Sequence, residues 1–292
     1  MDNVKIKRLK HYIRQQLTVG NILIFLFFLF FAFTMLYSLC WAFFSSLKDP
    51  TMYFKTKGDF LPDAWMFSNY ADAFELLSVR QKNIFDMIFN SLWLTIGNSF
   101  ISMAVCCTTA YIVSKYDFVG KRVITTVILV ALMLPLYGSL PSTLKLYTKL
   151  GMYNSPLILL AAASGMGSMF LILRSYFNGV SWEYAEAAKI DGANDFVIYV
   201  RIMIPIAAPA LGSILMVMFI NGWNDYMPSI YYLPDYPTIA SGLYLYEEIA
   251  EFSMNYPVFF AGVVMASIPT MILFIIFQKQ IMSSITTGGL KG

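Results

Sequence analysis

The side chains best suited to covalent chemistry are few in this sequence, and their spacing does not fit a known site. The single histidine, His11, lies in a basic N-terminal segment, and a lone imidazole forms neither a zinc site nor a serine–histidine pair. Cys106 and Cys107 are adjacent and Cys40 stands apart, which suits neither a disulfide framework nor a metal site. We therefore predict a non-catalytic chain without a metal.

The sequence does not predict a nucleotide-binding or a nucleic-acid-binding site. The only Gly-Lys pair, Gly120-Lys121, is followed by Arg122 and lacks the upstream glycine that a phosphate-binding loop requires. No basic stripe with interleaved aromatic residues is present, so nucleic acid is not an expected partner. We expect no cofactor in this chain, and any ATP hydrolysis must come from another chain.

The pattern that favours a function is a polar stretch, residues 182–205, which we call the hairpin. Residues 183–190 are rich in Glu and Ala, which are strong helix formers, and Gly192 is suited to end that helix. A second, amphipathic helix is predicted over 196–204, closed by Pro205. The small Ala187–Ala188 face would let another protein approach closely, so the hairpin is suited to docking a partner.

The composition shows what must position this hairpin. The 292 residues are 58% hydrophobic and 13% charged, with a mean hydropathy of +0.64, and a soluble core cannot bury so much apolar surface. Uncharged stretches long enough to cross a bilayer occur six times. The predicted fold is an all-α polytopic membrane protein with spans at about 20–45, 88–114, 123–144, 153–174, 205–226 and 257–281.

The distribution of Lys and Arg predicts the orientation. With a cytoplasmic N-terminus, 13 of the 20 bases fall on the cytoplasmic side and 7 outside, as the positive-inside rule requires. This places residues 1–14, the hairpin and a tail at 282–292 in the cytoplasm, with residues 15–292 as one transmembrane domain in the cell membrane. The outside stretch 48–86 is too long and polar to be a simple connection.

The hairpin also carries a family resemblance. Glu186-Ala187-Ala188, then Gly192, then Ile202-Met203-Ile204-Pro205 resembles the coupling-helix signature of ABC importer permeases, with Ile204 in place of leucine. Asp191-Gly192-Ala193, Trp223-Asn224-Asp225 and the tail at 287–292 resemble the carbohydrate branch, and most of all its six-helix permeases of the maltose type. The resemblance implies the type I ABC importer permease fold.

The resemblance further implies the partners and the contact residues. A second homologous permease would complete the pathway, two ATPase subunits would bind ATP and Mg²⁺, and an extracellular solute-binding protein would deliver a carbohydrate, expected to be an oligosaccharide. The residues implied in docking the ATPase are Glu183, Glu186, Ala187, Ala188, Asp191, Gly192, Ala193, Phe196 and Pro205. Gly288, Gly289 and Lys291 would reach the ATPase interface, and a loop with Leu243, Tyr244, Tyr246, Glu247 and Glu248 would contact the binding protein.

Polar and aromatic residues within the spans are candidates for a sugar path, because sugars bind by hydrogen bonds and by stacking on aromatic rings. They are Asn98, Tyr137, Asn221, Trp223 and Asn224. Hydrogen bonding between helices is the alternative role for these side chains.

Two other functions are alternatives to this one. One is an ABC importer permease for a non-sugar solute, against which the Asp191-Gly192-Ala193 form and the glycine-rich tail count. The other is a membrane-embedded enzyme, for which the sequence offers no nucleophile, acid–base pair or metal site. The spans also contain essentially no ionisable residue of the kind that ion-coupled carriers use.

Overall fold

The computed structural model describes residues 18–134, 138–164, 167–253 and 255–289, and only the backbone at 248–253 and 279–289. Every regular element in this part of the chain is helical, so the predicted all-α class is confirmed. The α-helices are α1 (Val19–Ser46), α2 (Tyr53–Thr56), α3 (Ser68–Leu76), α4 (Ile84–Lys115), α5 (Lys121–Met133), α6 (Leu140–Lys149), α7 (Ser168–Gly179), α8 (Glu183–Ile190), α9 (Asp195–Ile198), α10 (Ile204–Asn224), α11 (Met227–Tyr232), α12 (Ile239–Ser253) and α13 (Tyr256–Gly289). A 3₁₀ helix spans Pro156–Ser164, and a π-helical turn spans Tyr199–Met203.

Four helical stretches within the described residues are long and apolar enough to cross a bilayer. They are Val19–Ser46, Ile84–Lys115, Asp195–Asn224 and Tyr256–Gln278, at the positions of the predicted first, second, fifth and sixth spans. At the fourth predicted span, the 3₁₀ helix and α7 are inclined by 55° to each other and together make a fifth candidate. The molecule is therefore polytopic.

In the third predicted span, 123–144, the described residues form two helices, α5 and α6. Helix α5 ends at Met133, and Leu134 has extended backbone angles of φ −78° and ψ 119°. The next residue in the sequence is Pro135, whose ring disfavours helical backbone in the residue before it. The chain is helical again from Leu140, with Pro141 in the first turn of α6, where a missing N–H is tolerated.

Helix α4 is the centre of the packing and contacts α7, α10, α12 and the 3₁₀ helix. It begins with a capping box, in which the Asn83 Oδ1 accepts from the Asp86 N–H at 3.0 Å and the Asp86 carboxylate accepts from the Asn83 N–H at 3.4 Å. Two groups of buried side chains lie along it. The hairpin-end core includes Cys106, Tyr111, Phe170, Phe177, Ala185, Ile198 and Met203, and the cap-end core includes Ala73, Ile84, Met87, Phe219, Trp223, Tyr246 and Val258.

The end of the molecule opposite the hairpin is formed by residues 48–83 and 225–253, which we call the cap. Lys48 is buried there, and its ammonium donates to the carbonyls of Thr56 at 2.8 Å and Asp59 at 2.6 Å. Burial lowers the pKa of Lys48, and the nearby carboxylates of Asp59 and Asp63 oppose that shift. The Asn69 amide donates at 2.8 Å to the carbonyls of both Ser46 and Lys48. The stretch predicted to lie outside is therefore ordered, and buried polar contacts hold it together.

Hydroxyl groups hold the second part of the cap to α4. The Ser91 Oγ accepts from the Ile239 N–H at 2.8 Å. The Thr238 N–H lies within hydrogen-bonding distance of the hydroxyls of Ser241, at 2.9 Å, and Ser229, at 3.1 Å. Helix α12 also approaches α4 closely at Gly242, where an added Cβ would lie 2.3 Å from the Met87 sulfur. The start of α12 is thus fixed by buried hydrogen bonds and close packing.

Candidate functional site

The first arm of the hairpin is α8, which ends in a Schellman motif at Gly192. The Gly192 N–H donates to the Lys189 carbonyl at 3.0 Å, and the Ala193 N–H donates to the Ala188 carbonyl at 2.9 Å. Gly192 has φ +85°, a left-handed conformation that glycine adopts without a steric penalty, and an added Cβ would meet no atom within 4 Å. The sequence prediction that Gly192 ends this helix is confirmed.

The second arm begins at Asn194, whose Oδ1 accepts from the Val197 N–H at 2.9 Å as an N-cap. Helix α9 then leads through the π turn Tyr199–Met203 directly into α10. The Ile204 N–H donates to the Tyr199 carbonyl, five residues back. The prediction that Pro205 closes this helix is wrong, because Pro205 occupies the first turn of α10, where its missing N–H is tolerated. The hairpin is therefore joined rigidly to a spanning helix.

The hairpin has a buried side and an exposed side. Ala185 and Ala188 are both buried in the hairpin-end core, so α8 lies close against it. Large apolar side chains point the other way: Tyr184 is 57% exposed, Phe196 is 72% exposed and Ile190 is 87% exposed. Exposed side chains of this size mark an interaction surface when they are grouped together. We call these three residues, with the exposed Glu183, Glu186 and Ala187, the docking surface.

The docking surface differs from the sequence prediction in its details. Ala187 is exposed but Ala188 is buried, because positions 185 and 188 share one face of the helix. Ile190 lies opposite those two alanines, and counting from them along a helix would have identified it from the sequence. Ala188 and the half-buried Ala193 therefore pack against the hairpin-end core and position the docking surface.

The second arm also buries a different face from the one predicted. Phe196 and Val200 are exposed, whereas Ile198 and Met203 are fully buried. The π turn adds a residue to one turn, so Met203, five residues after Ile198, is buried on the same side.

Charged groups connect the two arms of the hairpin. The Lys189 ammonium lies 3.0 Å from the Asp195 carboxylate and 5.6 Å from the centre of the Trp182 ring. Trp182 in turn packs edge-on against Tyr116, with ring centres 5.6 Å apart. Hydrogen bonds from Lys189 and then Tyr116 hold the pKa of Asp195 below its usual range, and burial is the main cause of the raised pKa of Tyr116. Asp191 is exposed at the tip.

This geometry suits contact with another protein. The sequence profile described as "Binding-protein-dependent transport system inner membrane component" matches residues 104–286, more than half of the chain, including the whole hairpin. The chain belongs to this family. It is therefore a transporter permease subunit that crosses the membrane several times.

Individual relatives agree with the family. The permease is 28% identical to the probable ABC transporter permease protein YurM of Bacillus subtilis, covering 96% of this chain and 91% of that protein. It is also 28% identical to the arabinooligosaccharides transport system permease protein AraQ of Bacillus subtilis, covering 95% and 98%. A crystal structure of a bacterial ABC transporter involved in the import of the acidic polysaccharide alginate contains a similar chain, with 26% identity, a TM-score of 0.73 and coverage of 89% and 96%.

The predicted sugar-path residues lie in different environments within the permease. Trp223 is buried in the cap-end core, stacks on Phe219 and donates its indole N–H to the Ala266 carbonyl at 3.0 Å. Asn221 and Asn224 are exposed, and the Asn224 amide donates to the Ile220 carbonyl at 2.8 Å. Trp223 thus has the contacts of a helix-packing residue, whereas the two asparagines are accessible.

The remaining two predicted path residues are Asn98 and Tyr137. Asn98 is half-buried on α4. Tyr137 lies outside the described residues.

The predicted binding-protein loop lies within helix α12. Leu243 and Tyr246 pack into the cap-end core, whereas Tyr244 is 43% exposed and stacks on Tyr226 with ring centres 4.4 Å apart. Glu247 is exposed, and the side chain of Glu248 lies outside the described residues. Only Tyr244 and Glu247 of this set are shown to be accessible.

At the C-terminus, α13 continues beyond the predicted span as far as Gly289. Gly288 and Gly289 are therefore part of the helix backbone. Lys291 lies outside the described residues.

Proposed function

We propose that the permease forms half of the translocation pathway of an ABC importer that takes up a carbohydrate, and specifically an oligosaccharide. Support comes from the two relatives with named solutes, which transport arabinooligosaccharides and import alginate. The Asp191-Gly192-Ala193 form of the hairpin agrees with this branch. An extracellular solute-binding protein would deliver the sugar.

We further propose that the docking surface binds an ATPase subunit. ATP and Mg²⁺ would be bound only by that subunit and by a second ATPase subunit. The observation that carries this proposal is the outward position of Ile190 and Phe196 on a hairpin that continues into α10. Apolar side chains with carboxylates beside them, here Glu183 and Glu186, suit a partner groove that is apolar with a basic rim. If the bound ATPase displaced the hairpin, α10 would move with it.

A second homologous permease is the proposed partner within the membrane. Most of α1 is exposed, and so are most of the large side chains of α5, which leaves apolar faces for lipid and for that partner. The charge distribution supports cytoplasmic termini and a cytoplasmic hairpin, with the cap outside.

The pathway contacts follow from the accessible residues. We place Asn221 and Asn224 along the sugar path, and Tyr244 and Glu247 on the side that meets the binding protein, because these side chains are exposed. The helix end at Gly288 and Gly289, with Lys291 beyond it, is proposed to reach the ATPase interface. Trp223 is proposed to support the path by packing.

The test is a pair of glycine substitutions with matched local strain. Gly192 and Gly151 have φ +85° and +68°, and an added Cβ at either position would meet no atom within 4 Å. Gly192→Val strains the end of α8, at a cost of roughly 1–2 kcal/mol in the left-handed region, whereas Gly151→Val places the same strain next to α6. Copurification with the ATPase subunits and sugar uptake in membrane vesicles are measured for both variants.

We expect Gly192→Val to insert into the membrane at normal levels, to lose most uptake and to copurify poorly with the ATPase. Gly151→Val should keep both functions. Normal uptake and normal ATPase association in Gly192→Val would refute the docking role, and equal loss in both variants would show that strain alone is responsible.

A further inference from the structure

A basic cleft lies near the hairpin but is separate from it. It is open, has a volume of about 380 Å³, and is lined by Lys121, Arg122, Thr125, Thr126 and Arg174. The first four residues belong to α5 and the last to α7. No carboxylate is among the lining residues, so the cleft concentrates positive charge.

The charges in the cleft are only partly neutralised. Lys121 pairs with Asp117, with the ammonium 2.9 Å from the carboxylate, but that carboxylate is fully exposed to solvent. Neither Arg122 nor Arg174 is among the ion pairs found in the described part of the chain. Two guanidinium groups therefore face the cleft without an acidic partner among the described residues.

Arg174 gives a second, independent indication that a ligand is missing. Its Nε is buried and has no hydrogen-bond partner within the described residues, and a buried donor without a partner is costly. The N-terminus of α5, with Gly120 at the cap position and no side-chain cap, also lies at Lys121 and Arg122. Unsatisfied N–H groups and the helix dipole favour an anion at such a terminus.

The position of the cleft indicates which kind of anion would fit. It lies where two apolar helices end, since Lys115 is the last residue of α4 and Lys121 is the first of α5. Directly beyond the bases, on the face of α5 that lines the cleft, Leu129 and Met133 follow Thr125 by one and two turns and are 41% and 82% exposed. An apolar strip that leads away from a cluster of bases matches the acyl chain and the phosphate of a phospholipid.

We propose that this cleft binds the phosphate group of an anionic phospholipid, with the acyl chains along Leu129 and Met133. Arg122 and Arg174 would donate to the phosphate oxygens, since guanidinium groups bind phosphate bidentately, and Lys121 would add charge. The Arg174 Nε–H would gain its missing acceptor. The lipid would fix α5 against α7 at the hairpin end of the permease.

The test uses the assembled transporter, with the second permease and the ATPase, and native mass spectrometry with added phosphatidylglycerol. Each copy of this chain should retain one phosphatidylglycerol that phosphatidylcholine does not replace. Removing a base near a membrane surface costs about fivefold in affinity, so the Arg122→Gln/Arg174→Gln double variant should bind roughly 25-fold more weakly. Arg174→Lys, which keeps the charge, should retain most of the binding and guards against a folding defect.

The matched control is Lys145→Gln/Lys149→Gln, which removes two exposed bases from α6 and should leave the bound lipid unchanged. Copurification of the ATPase should be normal in all these variants. Equal phosphatidylglycerol binding in the wild type and the arginine double variant would overturn the proposal. So would displacement of the lipid by millimolar inorganic phosphate, which would indicate a free-phosphate site, or no bound lipid at all, which would indicate that the partner permease fills the cleft.

Discussion

At the hairpin end of the permease, large apolar side chains point outward, whereas at the cap end polar side chains point inward. Ile190 and Phe196 are left exposed on the hairpin. In the cap, Lys48, Asn69 and Ser241 are buried, and each makes hydrogen bonds to the backbone or to other hydroxyls. Both ends are ordered and both expose some apolar side chains, but the buried polar network described here belongs to the cap.

The two ends of the permease obtain their shapes in different ways. A buried polar contact is specific about geometry, because an unpaired group is costly, so the cap reaches a defined shape by itself. The hairpin obtains its shape from the Schellman motif and the buried Ala185 and Ala188, which leaves its other face available. We infer that the shape of the cap is set by its own buried polar contacts, whereas the hairpin presents Ile190 and Phe196 to a partner.

The largest effect on stability is expected from the core beneath the hairpin. Phe177 is fully buried in the hairpin-end core, and truncating such a ring costs about 3–5 kcal/mol. Phe177→Ala should therefore lower the unfolding free energy of the permease in SDS titrations by that amount. Phe196→Ala is the matched control, because it removes the same ring from an exposed position and should change stability by less than about 0.5 kcal/mol. Equal losses would show that Phe196 is packed against the protein.

A smaller effect is expected in the cap. Ser229→Ala/Ser241→Ala removes both hydroxyls near the Thr238 N–H, and a buried donor left unpaired costs about 1–3 kcal/mol. The same SDS titration should show this loss, with ATPase association unchanged. Ser142→Ala, at an exposed position on α6, should have no effect. An unchanged unfolding free energy in the double variant would mean that the polar network does not hold the cap.

Much of the architecture could be predicted from the sequence because it depends on residues that are close together along the chain. Uncharged runs locate α1, α4, α10 and α13, and Gly192 locates the end of α8, since a left-handed cap position favours glycine. The family signature in the hairpin needed no geometry at all. For 123–144, Pro135 and Pro141 in the sequence already indicate an interrupted helix, and the described part of this stretch forms two helices, α5 and α6.

The rest depends on long-range contacts. Trp223 resembles a sugar-stacking residue in the sequence, but its indole donates to the Ala266 carbonyl, 43 residues away. The burial of Met203 beside Ile198 follows from the π turn at Tyr199–Met203, which a regular helical count does not anticipate. The order of the stretch after α1 could not be predicted from sequence periodicity, because it depends on hydrogen bonds from Lys48 and Asn69 to distant backbone carbonyls.

We propose that the exposed apolar residues of the hairpin, and not exposed apolar residues in general, bind the ATPase. The direct measurement is the affinity between the permease in nanodiscs and the purified ATPase subunits for two double variants. In Ile190→Ser/Phe196→Ser the affinity should fall at least about tenfold, as for central interface residues. In Leu61→Ser/Phe67→Ser, which removes exposed apolar side chains from the cap, it should be unchanged. Wild-type affinity in the hairpin variant, or an equal loss in the cap variant, would contradict the account.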